Sequence, residues 1–184
     1  QTAIGEIPSN WKVARIADVA SVRSGSTPSR SRKDFFPASG GHPWVKTMDL
    51  TDGDIHATSE TISDAALAES SCVLHRPGTV LIAMYGGFNQ IGRTGVLRLT
   101  AATNQAISCI SAPADVLAPE FLNYWLIANR WRWQRIAASS RKDPNITRDD
   151  VLRFELPLMS IEEQNAIIAV LNAVVDRETA EKRQ

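Results

Sequence analysis

Arginine and side-chain amide groups give this chain its clearest potential chemistry, which is contact with nucleic acid. Fifteen of the 20 basic residues are arginine, whose planar guanidinium suits paired hydrogen bonds to phosphate and to guanine. Seven basic residues stand against two acidic ones between positions 12 and 46, and six acidic residues with no Lys or Arg lie between positions 49 and 69. Charges scattered over solvated faces would explain the same composition at zero formal net charge, so both interpretations stay open.

Several of these cations lie in segments whose residues favour exposed loops. Residues 24–33 combine Gly25 and Pro28 with hydroxyl side chains and three cations. This composition breaks regular structure and could contact a phosphate backbone. A surface loop without a ligand is the alternative interpretation of the same segment. The predicted phosphate contacts are Arg30, Arg32, Lys33, Lys46, Arg141 and Lys142.

A glycine-rich turn predicted at residues 85–93 carries side chains that can contact base edges. Amides such as Asn89 and Gln90 form paired hydrogen bonds with adenine, and an arginine such as Arg93 does so with guanine. The turn resembles a dinucleotide-binding loop only superficially, because it leads into a predicted strand and not a helix. The predicted base contacts are Thr27, Thr47, Tyr85, Asn89, Gln90 and Arg93, whereas Asn104 and Gln105 fit an internal structural role at least as well.

Residues for catalysis or metal binding do not form a recognisable set. The sequence lacks a G-x-x-x-x-G-K-S/T phosphate loop and a G-x-S-x-G elbow, and its three histidines are scattered. Cys72 and His75 have a ligand-like spacing without the second pair that a tetrahedral metal site requires. Residues 143–146 partly resemble the target-base loop of amino-methyltransferases, but they lack its second proline and its aromatic residue. We therefore expect neither catalysis nor a bound metal.

Length and composition favour one globular domain with an appendage. The chain has 184 residues, of which 43% are apolar, enough to form a core. Two cysteines among apolar neighbours are too few for a disulfide framework, so we expect buried thiols in a reducing cytoplasm. No apolar run approaches the roughly 20 residues that cross a bilayer, which predicts no membrane partner.

Local patterns predict an α+β body over residues 1–157. The apolar segment 79–84 is predicted to be a central, buried strand. A helix is predicted to begin at Pro119 and to continue through about residue 136, with Trp131 and Trp133 outside its apolar stripe. Further strands are predicted within residues 43–50, 93–100 and 104–110, and helix caps at Ser63, at Thr147 with Asp150 and at Ser160 with Glu163.

The last predicted element is a long helix within residues 158–184. Its apolar positions recur at steps of three and four, which is the spacing of a helix that packs along one face. The pattern predicts a coiled coil or dimer contact, with the stripe folding back on its own domain as the alternative. The predicted contact residues are Ile161, Gln164, Ile168, Leu171 and Val175.

A series of short motifs gives the chain a family resemblance that covers residue 4 to the end. Each motif alone is weak, whereas their order and spacing together are fairly specific. The chain resembles a target recognition domain of the DNA specificity (S) subunit of type I restriction–modification systems. The motifs are Ile4-Gly-Glu-Ile-Pro-Ser-Asn-Trp11, Gly25-Ser-Thr-Pro28, Pro43-Trp-Val-Lys-Thr-Met-Asp-Leu50, Pro77-Gly-Thr-Val-Leu81, Ile91-Gly92, Asn104-Gln105, Pro144-Asn-Ile146, Leu156-Pro-Leu and Glu163-Gln164.

The resemblance implies a mixed-sheet recognition domain followed by a helix that packs as a coiled coil. Such subunits generally carry two recognition domains, each of which reads one half of a split site on double-stranded DNA. They are not catalytic, and they bring modification (M) and restriction (R) subunits to the site. S-adenosylmethionine, ATP and Mg would therefore bind to those partners, and this cytoplasmic chain would need no cofactor.

This chain differs from the full pattern in having one recognition domain and one helix. We expect it to be half of a longer subunit or a natural half-length subunit, paired with a second recognition domain or with an identical chain. Two other functions remain possible from the residues alone. One is a small hydrolase or transferase that uses residues 86–92, and the other is an assembly adaptor that does not bind DNA.

Overall fold

Short strands and helices alternate along the chain, whose computed structural model describes residues 2–87, 89–139 and 145–181. The strands are β1 (Lys12–Arg15), β2 (Ser21–Ser24), β3 (His42–Val45), β4 (Asp54–Ile55), β5 (Glu60–Ile62), β6 (Val80–Ala83), β7 (Thr94–Leu97), β8 (Ala102–Thr103), β9 (Ile107–Ser111) and β10 (Glu155–Leu158). The helices are α1 (Ile16–Val19), α2 (Asp64–Glu69), α3 (Pro119–Ala128), α4 (Arg130–Ser139), α5 (Arg148–Arg153) and α6 (Ile161–Glu181), with 3₁₀ turns at Lys33–Phe35 and Thr47–Asp49.

A five-stranded sheet with the strand order β2-β9-β6-β7-β4 forms the centre of the fold. All four residues of β6 are buried, so the prediction of a central apolar strand is confirmed. β4 runs parallel to β7 while the other pairs are antiparallel. A second sheet, β5-β3-β8, is also mixed. The predicted α+β class with mixed sheets is therefore confirmed.

The first strand of the chain pairs with the strand that precedes the last helix. β1 pairs antiparallel with β10 along all four residues of each strand. Trp11, just before β1, donates its indole N–H to the Glu163 carboxylate at 3.2 Å. The predicted cap is also present, because the Glu163 amide donates to the Ser160 hydroxyl at 3.2 Å. The first turn of α6 is therefore tied to the start of the domain.

The helix predicted from Pro119 through residue 136 is interrupted at Asn129, so that prediction was wrong at this point. Asn129 leaves helical geometry with φ −106° and ψ 17°. Its side-chain amide and its backbone N–H both donate to the Trp125 carbonyl, at 2.9 and 3.1 Å. The change of direction turns Trp133 into the core, where its ring stacks on Phe154 at 4.0 Å between centroids. Trp131 remains half exposed.

The start of α6 packs on its own domain, which corrects part of the predicted helix contact. Gln164 is fully buried, and its amide group bonds to the backbone of Val116 and Ala118 just before α3. Ile168 is also buried in the core. These two residues face the domain because the junction after β10 aims the helix across α3. The exposed apolar residues lie further along the helix, at Val170, Val174 and Val175.

Both cysteines are buried, and neither forms a disulfide. Burial raises the pKa of the Cys109 thiol to about 12, so this thiol stays protonated.

None of the helices within the described ranges is long and apolar enough to cross a membrane.

Candidate nucleic-acid interface

Three strand ends meet around one short turn at an edge of the molecule. β2 and β6 both pair antiparallel with β9, which places Ser24 opposite Ser108 and Ala83 opposite Ile107. β3 runs parallel to β8 and ends beside it. The segments that follow β2, β3 and β6 therefore surround the turn that joins β8 to β9.

Backbone hydrogen bonds hold these segments against one another. A Cβ atom at residue 25 would lie 2.1 Å from the Asn104 carbonyl oxygen, so the close approach requires glycine. The amide groups donate across the edge at distances of 2.8 to 3.0 Å, from Gly25 to Ile107, Asn104 to Val45, Met84 to Ala106 and Ile146 to Met84. We call this surface the polar edge, and it comprises residues 25–28, 46–49, 84–87, 89–92, 104–106 and 145–147.

Side-chain hydrogen bonds connect the loops of the polar edge. The Thr27 hydroxyl donates to the side-chain oxygen of Gln105. Burial raises the pKa of Tyr85, and the nearby Gln105 side chain opposes this rise. The phenol therefore stays protonated and can donate. The Gln90 amide donates to Sδ of Met48 at 3.5 Å. The edge presents both donors and acceptors, which are the groups that distinguish base pairs in the major groove.

The structure brings most of the predicted base contacts to the polar edge. Asn89 is exposed, and its carbonyl accepts a hydrogen bond from Arg93 Nε at 2.9 Å. Arg93 itself follows the edge and is half buried, so it is less available than its sequence position indicated. Base contact stays a prediction for the whole set, of which Thr27, Thr47, Tyr85, Asn89 and Gln90 lie on the edge.

Met48 was not predicted to lie on this surface, and the role of Gln105 was left open between a base contact and an internal structural role. Residues 43–50 were predicted to be one strand, but the Asp49 carboxylate accepts the Lys46 amide hydrogen at 2.8 Å and closes a 3₁₀ turn. Met48 is 69% exposed as a result. No pattern marked it, because an apolar residue in a predicted strand indicates burial. Asn104 proves structural, since its side chain accepts an amide hydrogen within its own turn at 3.2 Å.

The predicted phosphate-binding cations beside the polar edge are paired with carboxylates. Glu60 accepts hydrogen bonds from Arg30 at 2.6 Å and from Lys46 at 2.5 Å, and both cations lower the pKa of its carboxyl. The Arg30 guanidinium also stacks over Phe36 and Trp44. Glu60 belongs to the acidic segment of the sequence, so the fold places that segment against the basic one.

Arg32 has a similar arrangement further along the same loop. It forms ion pairs with Asp34 at 2.7 Å and with Glu69 at 2.9 Å, and these pairs raise the pKa of its guanidinium. Lys33 beside it is exposed. Three cations of the basic segment, Arg30, Arg32 and Lys46, are thus paired with carboxylates of the acidic segment. Arg141 and Lys142 lie outside the described residues.

Arg130, the first residue of α4, fastens the glycine-rich loop to the helices behind it. Arg130 pairs with Asp52, and its Nε donates to the Gly92 carbonyl at 3.0 Å. A Cβ atom at Gly92, whose φ is +77°, would press on the side chain of Trp133 at 3.1 Å. The loop leads into β7 and not into a helix, as a dinucleotide-binding loop would. Within the described ranges, no group of three His, Cys, Asp or Glu residues could hold a metal ion.

Residues 8–184 match the sequence model of the type I restriction modification DNA specificity domain family. The chain belongs to this family. It is 29% identical over its whole length to the type I restriction enzyme MjaIX specificity subunit of Methanocaldococcus jannaschii, of which the match covers 42%. The type I specificity domain described here therefore spans about two fifths of the length of that relative.

Solved structures show the same fold for this specificity domain. The HsdS subunit from Thermoanaerobacter tengcongensis matches all of the chain with a TM-score of 0.78 and 22% identity, over 42% of that subunit. A chain from a study of complex assembly and conformational transition in the type I R-M system matches with a TM-score of 0.79 and 22% identity, over 43% of its length. At these identities the likeness concerns the fold of the domain and its terminal helix.

Proposed function

We propose that this chain is the non-catalytic DNA-recognition module of a type I restriction–modification specificity subunit. The single observation that carries the proposal is the polar edge, where donor and acceptor side chains from separate loops stand on a rigid sheet within a specificity-domain fold. In this role the module reads one half of a bipartite duplex target. Partner subunits then methylate adenine and cleave the DNA, and they hold S-adenosylmethionine, ATP and Mg in the cytoplasm.

The proposal divides the contacts by chemistry. Hydrogen bonds from the polar edge identify bases, while cations beside it contact phosphates and set the orientation on the duplex. The base contacts are Thr27, Thr47, Tyr85, Asn89, Gln90 and Arg93, joined by Gln105, and the phosphate contacts are Arg30, Arg32, Lys33, Lys46, Arg141 and Lys142.

Replacing Gln90 with alanine tests the base-reading role of the polar edge. We expect discrimination at one base pair of the target to fall by about 10- to 100-fold, because a bidentate contact is worth roughly 1–3 kcal/mol. The measurement is methylation of a duplex library by the module together with its modification subunit. Asn165→Ala, at an exposed position of α6, is the matched control and should leave the preference unchanged. An unaltered preference in Gln90→Ala would contradict base reading by this loop.

We also propose that the distal half of α6 packs against a second helix. The support is a run of exposed apolar residues, Val170 at 65%, Val174 at 51% and Val175 at 47%. Leu171 continues this surface toward the domain, where it lines a groove with Tyr124 of α3. The partner helix belongs to a second recognition domain or to an identical chain, and it would cover side chains that water now contacts.

Sedimentation of this chain tests the helix pairing with an identical copy. We expect a dimer whose dissociation constant rises at least tenfold in Val174→Glu, since a buried charge at a helix contact is unfavourable. Asn165→Glu places the same charge on an exposed part of the helix and should leave the dimer intact. A wild-type monomer at millimolar concentration would contradict pairing between identical chains.

A further inference from the structure

A pocket of about 270 Å³ opens beside the edge strand β2, away from the base-reading side chains. Arg23 and His75 line it, together with Arg76 and the serines Ser21 and Ser111. Arg23 pairs with Cys109 in the sheet and lies two residues before Gly25, where the polar edge begins. At about 3.3 Å per residue, the pocket is therefore about 7 Å behind that edge.

The residues that line the pocket carry positive charge, and Asp18 lies in the adjoining groove with Arg76. Several other arginines form ion pairs with carboxylates, as Arg30, Arg98 and Arg130 do. Arg23 and Arg76 form no such pair within the described part of the chain, and the described residues lining the pocket include no Asp or Glu. Arg76 donates one hydrogen bond to the Ala112 carbonyl at 3.0 Å, which fixes its position at the rim.

A buried histidine forms the inner part of the pocket. His75 is only 7% exposed, and its buried Nε2 has no hydrogen-bond partner in the described residues. Leaving a buried polar group unsatisfied costs about 1–3 kcal/mol. Burial and then the charge of Arg23 lower the pKa of His75, so the ring is neutral at pH 7. An anion in the pocket would offset the charge of both arginines and would lie beside the His75 ring.

We propose that this pocket is a binding site for a phosphate-type oxyanion, held by Arg23 and Arg76 with His75 beneath it. Guanidinium groups form paired hydrogen bonds with phosphate oxygens, which a lone chloride ion cannot reproduce. The anion is either free phosphate or a backbone phosphate of DNA that runs past the polar edge. The second source rests on the proposed function, whereas the first does not.

Histidine NMR tests the site, because the chain contains only three histidines. The pKa of each ring is measured in chloride, in inorganic phosphate and with a non-cognate duplex, all at matched ionic strength. We expect phosphate to raise the pKa of His75 by about one pH unit, as a nearby opposite charge does. His56 is exposed and serves as the internal control. The variant Arg23→Gln with Arg76→Gln should fold normally, since both side chains are at the surface, and should lose the rise.

The outcomes separate this site from the proposed function. A rise with both phosphate and duplex supports a backbone contact, and a rise with inorganic phosphate alone supports a site for free anions. No rise with either probe overturns the proposal, as does a rise that persists in the double variant. If the chain fails to bind duplex at all, the proposed function fails, but the titration with inorganic phosphate still decides the pocket.

Discussion

Replacing Gln164 with alanine is expected to lower the free energy of unfolding by about 3 kcal/mol, because three backbone groups lose their partner inside the protein. The Gln164 side-chain oxygen accepts from the Ala118 amide at 2.9 Å, and its nitrogen donates to the carbonyls of Val116 and Met159 at 3.0 and 3.1 Å. The side chain is fully buried, so water cannot replace these bonds without opening the contact between α6 and the domain.

Urea unfolding measures this change, with Asn165→Ala as its control. Asn165 is the next residue of α6, and its side chain is exposed. Its replacement should therefore change the free energy of unfolding by less than about 0.5 kcal/mol. A loss below about 1 kcal/mol in Gln164→Ala would show that the amide contributes little to docking the helix.

Replacing Glu60 with glutamine is expected to strengthen binding to all duplex sequences, on the order of tenfold at low salt. Glu60 now neutralises Arg30 and Lys46 through two short ion pairs. Glu60 offsets the charge of both cations and competes with phosphate for their hydrogen-bond donors. Without that competition, the slope of log affinity against log salt should become more negative by about 1 to 2, since each phosphate contact adds roughly 0.9.

Glu181→Gln is the matched control for this measurement. It removes an acid that pairs with Arg177 at 3.0 Å near the distal end of α6, away from the polar edge. The control makes the same change in net charge, so a change shared by both variants would reflect long-range charge alone. An unchanged slope in Glu60→Gln would mean that Arg30 and Lys46 do not contact phosphates, which Arg30→Ala would confirm by leaving the slope as it is.

Features set by neighbouring residues were predictable from the sequence. The apolar run of β6 and the caps at Ser63 and Thr147 appear in the structure as predicted. These features depend on contacts within a few residues, and propensity and spacing report such contacts well. The break at Asn129, where the side-chain amide donates to the Trp125 carbonyl, is equally local, but helix propensity does not reveal it.

Contacts between distant segments were not predictable. Thr27 and Gln105 are 78 residues apart, and Gln164 meets Ala118 across 46 residues. A polar residue in an apolar stripe looks like a coiled-coil position, whereas its true environment depends on which carbonyl groups the fold places nearby. The same limit applies to charge, because the sequence separates Arg30 from Glu60 by 30 residues while the fold joins them.

The docking of α6 on the domain limits how far the direction of the helix can vary. Its 21 residues extend about 31 Å at 1.5 Å per residue, so a small change in the direction of its docked part is magnified at its tip. A tilt of about 6° at the base would displace the tip by about 3 Å, nearly the 3.4 Å rise of one base pair along a DNA strand. If α6 separates two half-sites, as proposed above, its start must be held to within a few degrees. Hydrogen bonds from Gln164 fix direction in a way that non-directional apolar packing at the same position would not.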